Sequence, residues 1–323
     1  MYVITGGAGF IGSVLLRQLN MQGIDDVVIV DNIAGTEKWR NLVKGRYVDY
    51  MHRDRFRDLV ARDALPFRLK GVVHLGACSS TTERDADFLM ENNFHYRRDL
   101  CRHALEKGAR CIVASSAATY GDGSLGFSDD PDLVPGLRPL NMYGYSKHLL
   151  DLWLLREGLL SGVASLKFFN VYGPNEYHKG DMRSVVAKAH AQIRREGRIT
   201  LFRSTAEGVG DGCQQRDFVY VKDCAALIAW LLQNPSVNGI RNVGTGQART
   251  FNDLGRAVFA ALGRAPAIDY RDMPEGLARN YQNYTCADMA WLARSDCPVR
   301  FVSLEDGVRD YVCRYLEADD PYA

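Results

Sequence analysis

The sequence predicts an α/β fold: a doubly wound parallel sheet with a smaller second α/β unit attached. Three observations predict it. Short apolar runs alternate with helical patterns through the first half, a glycine-rich turn joins the first run to the first helix, and the texture becomes irregular after Asn170. Short, wholly apolar strands separated by helices belong to βαβ units whose sheet is covered on both faces.

The elements follow in order. Strands are expected at residues 2–5, 27–31, 72–75, 111–116 and 163–169, with helices at 11–21, 88–107 and 143–157. Gly173-Pro174 then breaks the chain, and a polar stretch runs to about Asp181. A helix over 184–196 puts Val185, Val186, Ala189 and Ile193 on one face. Residues 203–215 read as a loop, and 218–221 and 240–243 as strands again. The predicted larger unit is therefore 1–170 with 217–245, and the smaller is 171–216 with 246–323.

Composition excludes several classes. The 323 residues carry a net charge of +1, with 46% hydrophobic and 24% charged residues. That balance is ordinary for a globular chain and gives no reason to expect nucleic acid or an anionic membrane as partner. None of the eight cysteines forms a C-x-x-C pair, so most are expected to be buried reduced thiols and no metal site is expected. The longest apolar run, 225–232, is too short to span a bilayer, and no signal-peptide pattern opens the sequence. A soluble, cytoplasmic protein is the expectation.

Thr5-Gly6-Gly7-Ala8-Gly9-Phe10-Ile11-Gly12 stands between the first strand and the first helix. Glycines at 6, 9 and 12 permit a tight turn, close approach of a pyrophosphate and close helix–strand packing. The helix N-terminus adds free N–H groups and a positive dipole end. Asp31 closes the second strand, about twenty residues on, where an acid binds an adenosine ribose. Its charge alone favours NAD. Lys38 and Arg53 are cations within reach of the same edge, although position alone reads them as surface charge.

Tyr143-Gly144-Tyr145-Ser146-Lys147 opens a predicted helix, so Tyr143 and Lys147 share one face. An ammonium beside a phenol is expected to lower its pKa toward working pH. Ser116 ends a predicted strand at the edge where open α/β sheets bind ligands.

Together these motifs resemble the extended short-chain dehydrogenase/reductase family, over almost the whole chain. The fold is then Rossmann-type. The stretches 76–83, 115–121, 141–147 and 169–174, with His178-Lys179-Gly180 beyond them, resemble its nucleotide-sugar epimerases, in particular the branch acting on an ADP-linked heptose. In that resemblance Tyr143 is an acid/base, Lys179 a second one, Lys147 binds the nicotinamide ribose and Ser116 steadies the substrate hydroxyl. Gly6, Gly9, Phe10, Ile11, Gly12, Asp31, Asn32, Lys38, Arg53, Asn92, Lys147, Val171 and Lys179 touch NADP, as does the strand end Leu75, Gly76, Ala77, Cys78 and Ser79. Asn170, Asp181, Lys188, Phe202, Arg216 and Tyr281 hold the ADP-heptose. On pattern alone Lys188 reads equally well as an exposed helix charge, and Lys179 as a surface lysine. The resemblance also implies a homo-oligomer, a pentamer.

Leu75 stands where the family often has an acid, and the loop between Phe202 and Arg216 is longer than usual. Ala117-Ala118 replaces the Asp-Glu pair of the family's dehydratases, which argues against elimination. Two alternatives stay open: a C4 epimerase of the same family, and a non-catalytic dinucleotide sensor.

Overall fold

The computed structural model describes residues 1–274 and 281–323. Its centre is a seven-stranded sheet: β1 (Tyr2–Thr5), β2 (Val27–Asp31), β3 (Asp49–His52), β4 (Gly71–His74), β5 (Arg110–Ser116), β6 (Val163–Phe168) and β10 (Gly239–Val243), ordered β10-β6-β5-β4-β1-β2-β3. All its pairings are parallel. Buried on both faces, β2 is Val-Val-Ile-Val-Asp and β6 is Val-Ala-Ser-Leu-Lys-Phe, near-continuous apolar runs as such a sheet requires. The edge strand β3 was not predicted. Only Met51 is buried in it, so it shows the sequence neither an apolar run nor a clean alternation.

Helices α1 (Phe10–Met21) and α7 (Val221–Gln233) pack against each other on one face of the sheet. The run 225–232 forms the inner side of α7, with Leu227, Ile228 and Leu231 fully buried. Each such side chain contributes about 1.5–3 kcal/mol on burial. On the other face lie α2 (Arg53–Ala61), α4 (Tyr96–Glu106) and α5 (Met142–Arg156). A short helix, α3 (Ala86–Leu89), runs into a wide π turn over Met90–His95 before α4 begins.

Two small sheets complete the molecule. β7 (Asn170–Tyr172), β9 (Gln215–Tyr220) and β11 (Ala248–Thr250) form one; β8 (Ile199–Phe202) and β12 (Ile268–Arg271) form the other. Helices α6 (Val185–Glu196) and α8 (Phe251–Ala261) pack together beside them. Residues 217–220, grouped above with the larger unit, pair in the three-stranded sheet, whereas α7 and β10 join the central one. Phe218, Val219 and Tyr220 are as buried as a central strand, so their pattern does not tell the two sheets apart.

The order of the central sheet reverses at β1, which has β4 on one side and β2 on the other. Ligands of open α/β sheets bind outside the strand ends at such a point. Thr5 pairs with Val30 and His74, and Asp31 with His52, so the ends of β1, β2, β3 and β4 share one edge. Four of the eight cysteines are buried, fewer than expected: Cys78, Cys213 and Cys286 are half-buried and Cys313 is exposed. Among the described residues no helix is long and apolar enough to cross a membrane.

Candidate active site

The glycine turn is shaped by backbone contact. Gly6 has φ +66°, and a β-carbon there would stand 2.6 Å from the nitrogen of Gly76. At Gly12 it would stand 2.3 Å from the oxygen of Gly6. Gly9 caps α1 with no side-chain cap and no acid in the first turn, which leaves the first N–H groups of the helix for an anion. A cradle that a β-carbon would fill, at a helix N-terminus, fits a dinucleotide pyrophosphate.

Asp31 is buried and accepts hydrogen bonds from the N–H groups of Ala8 (2.9 Å) and Asn32 (2.7 Å). Lys38 pairs with the same carboxylate at 2.7 Å. Arg53 directly follows His52, the register partner of Asp31, and donates to Asn92 Oδ1 at 3.1 Å. On the other side, the Leu75 and Gly76 N–H groups donate to Thr5, at 3.0 and 3.2 Å. Asn93 holds Cys78 by both backbone groups at 2.9 Å, while Ala77 is half-buried and Ser79 exposed. The π turn lets neighbouring Asn92 and Asn93 serve different partners, a use of such turns that recurs at functional sites. Asn93 was missed because a helical pattern hides which polar residue turns inward.

Ser116 ends β5, and its hydroxyl accepts from the N–H of Ala118 at 3.2 Å. Asn141 caps α5 by accepting from the N–H of Gly144 at 2.8 Å. A β-carbon at Gly144 would lie 2.7 Å from the oxygen of Ala118; glycine lets α5 close on this turn and bring Tyr143 to Ser116. Lys147 is buried, donates to the oxygen of Ala114 at 3.0 Å, and stands 5.9 Å from the centre of the Tyr143 ring.

The electrostatics correct one expectation. Burial pushes the Tyr143 phenol up, and the groups that oppose it are the Ser116 hydroxyl and the Arg97 guanidinium, not Lys147. Lys147 is itself pushed well down by burial, with Arg97 adding to the effect. Arg97 is fully buried and donates to the same Ala114 oxygen. It is a site residue with no signal in the sequence, since a helix cation normally reads as exposed.

A second group of residues faces the turn from the segment after β7. Tyr177–Met182 is a 3-10 turn carrying Lys179, which is half-buried with its ammonium 5.2 Å from the centre of the Phe10 ring. Burial pushes the Lys179 ammonium down, and Glu176 opposes it. Val171 is half-buried and Asn170 exposed in β7. Asp181 and Lys188 are exposed, and their side chains hydrogen-bond to none of the other predicted residues. Phe202 ends β8 under the Arg271 guanidinium, 5.0 Å from its ring centre.

Arg216 on β9 is 7% exposed and stands 4.9 Å from the Tyr281 ring centre and 5.7 Å from that of Phe251. Among the described residues no carboxylate pairs with it. A desolvated fork of donors between two rings suits a diphosphate.

Comparison with known proteins agrees with this geometry. The model of the NAD dependent epimerase/dehydratase family matches residues 2–244. A curated relative from Nitratidesulfovibrio vulgaris, named ADP-L-glycero-D-manno-heptose-6-epimerase, is 64% identical over the full length of both chains. One of the same name from Fusobacterium nucleatum is 44% identical, also over full length. Among solved structures, the Helicobacter pylori ADP-L-glycero-D-manno-heptose-6-epimerase is 27% identical, with TM-score 0.77 over 97% of this chain and 95% of that one. The Thermus thermophilus UDP-glucose 4-epimerase, solved with NAD, is 28% identical, with TM-score 0.77 over 98% and 99%. With the glycine cradle, the Ser116–Tyr143–Lys147 set and full-length relatives in agreement, the chain belongs to the NAD dependent epimerase/dehydratase family.

Proposed function

We propose that this chain interconverts ADP-D-glycero-D-manno-heptose and ADP-L-glycero-D-manno-heptose by inverting C6. The observation that carries the reading is a desolvated lysine, Lys179, over the head of the nucleotide turn, in a chain that also holds Tyr143 beside Ser116. The names of the full-length relatives support the substrate.

The cradle, Asp31, Lys38, Arg53, Asn92 and the 75–79 strand end hold NADP. The choice over NAD rests on Lys38, whose 2.7 Å pairing with Asp31 offsets the repulsion of a 2′-phosphate. When bound, the nicotinamide supplies hydride acceptance and return at C6. Tyr143 takes the proton from the C6 oxygen, Ser116 steadies that oxygen, and Lys147 binds the nicotinamide ribose. Inversion places the C6 oxygen in two positions, which one phenol can hardly reach within hydrogen-bond distance. Lys179 moves the proton at the second. Arg216 forks onto the diphosphate, with Tyr281, Phe202, Asn170, Asp181 and Lys188 around the rest of the ADP-heptose. Residues 1–170 and 217–245 serve the dinucleotide and 171–216 and 246–323 the sugar nucleotide, with β9 straddling the join. We place the enzyme in the cytoplasm as a homo-oligomer, a pentamer, whose product feeds a lipopolysaccharide inner core.

A UDP-sugar 4-epimerase is the second reading, favoured by the equal TM-score of the Thermus enzyme. The purified protein, with no added cofactor, is incubated with ADP-D-glycero-D-manno-heptose in D2O and followed by NMR. The C6 epimer without deuterium at C6 is expected. Inert ADP-heptose with turnover of UDP-glucose selects the second reading, and deuterium at C6 rules out transient oxidation.

A further inference from the structure

Asn41 and Asn175 are 134 positions apart in the chain and meet beneath the nucleotide turn. Asn41 is 2% exposed and Asn175 fully buried. The Asn41 amide nitrogen lies within reach of three acceptors: the oxygen of Ala8 at 2.9 Å, that of Asn175 at 3.2 Å and His178 Nδ1 at 3.3 Å. Ala8 belongs to the glycine turn, and Asn175 and His178 to the segment that carries Lys179.

Asn175 ties the same two pieces from the other side. Its amide nitrogen donates to Ser13 Oγ at 2.9 Å, and that hydroxyl donates to the oxygen of Phe10 at 3.1 Å. Its Oδ1 accepts from the N–H of Ala323 at 2.9 Å, which sets which way round the amide lies. Lys179 closes the ring: its N–H donates to the oxygen of Glu176 at 3.0 Å, and its ammonium stands over Phe10.

Asn175 has φ +73°, a left-handed backbone that asparagine tolerates in turns. The segment also has a separate anchor, since the buried Glu176 carboxylate accepts from the Ser184 hydroxyl at 2.6 Å. The asparagines are not needed to hold the segment to α6; apart from the contact with Ala323, their bonds join the segment to the turn and the start of α1.

We propose that Asn41 and Asn175 are positioning residues that fix Lys179 against the glycine turn, so that its ammonium meets the sugar oxygen within proton-transfer reach. This rests on Lys179 being the second acid/base. Reaction geometry is sensitive to displacements of about 1 Å, which cost up to roughly a hundredfold in rate.

The test is a set of kinetic cycles on Asn41→Ala, Asn175→Gly and Lys179→Met. Glycine at 175 keeps the left-handed backbone while removing the amide. Each asparagine variant is expected to lower kcat about tenfold, with KM and bound dinucleotide within about twofold of wild type. In single turnovers each slows oxidation of the same epimer that Lys179→Met slows. Combined with Lys179→Met, neither slows the reaction further, because misplacing an absent ammonium has no effect. Multiplied losses in the double variants overturn the proposal, as does an unchanged kcat per bound dinucleotide. If Asn41→Ala fails to fold, Asn175→Gly carries the cycle. A wild-type rate for Lys179→Met removes the acid/base reading itself, a different result from multiplied losses.

Discussion

The floor of the site and the wall that carries Lys179 are built from different material. In the floor, Gly6, Gly12 and Gly76 meet backbone against backbone, with a β-carbon at Gly12 only 2.3 Å from its neighbour. In the wall, side chains do the joining: Asn41, Asn175, Ser13 and Glu176 hold an irregular segment in place by hydrogen bonds. Backbone contacts cannot yield by rotating a side chain, so Gly6 and Gly12 leave no room for a β-carbon. A hydrogen-bonded wall can lose one partner and relax, so its variants lose rate before they lose structure.

Gly12→Ala tests that contrast at its strongest point. We expect loss of the bound dinucleotide and of activity, read from the nucleotide released on heat denaturation and from turnover; normal occupancy breaks the account of the floor. Tyr143→Phe comes next. It keeps the ring and removes the hydroxyl, so kcat is expected to fall roughly a hundredfold or more while occupancy stays near normal. Activity within a few-fold of wild type moves the chemistry elsewhere.

Lys38→Ala leaves the floor intact and removes the cation paired with Asp31. Affinity for NADP relative to NAD, measured by competitive rebinding, is expected to fall about tenfold, or about 1.4 kcal/mol. An unchanged ratio removes Lys38 from cofactor choice.

The smallest effect belongs to the wall. His178 is pushed down from 6.5 to about 4, first by burial and then by Lys38 and Lys179. Between about pH 6.5 and pH 4 the unfolded chain binds a proton at His178 that the folded chain does not, so this group erodes stability as pH falls through that window. His178→Asn is expected to flatten the slope of the melting-temperature profile there, while the lost contact with Asn41 shifts the whole profile by a constant amount. An identical slope in both proteins shows that other groups set the acid sensitivity.

The central strands and the floor were legible because their signals are local. β2 shows its double burial as an unbroken apolar run, and the 6, 9, 12 spacing states a backbone requirement outright. The edge strand β3 was not legible, since only Met51 is buried in it, and the sheet that β9 joins was not legible because its burial matches a central strand. In the site, the pairing of Tyr143 with Lys147 on one helix face was readable, but its electrostatics were not. The expected cation beside the phenol was Lys147; the groups that act on it are Ser116 and a buried arginine from α4.

The sequence alone therefore determined the parallel sheet, the glycine spacing of the cradle and the shared helix face of Tyr143 and Lys147, because steric limits and helical spacing operate between residues close in the chain. Only the tertiary structure decided that Lys179 is desolvated over Phe10, that Arg97 turns inward, and that Asn41 meets Asn175 across 134 positions. Desolvation and long-range hydrogen bonds depend on what packs around a residue, and nothing in the adjacent sequence of a lysine or an asparagine records that.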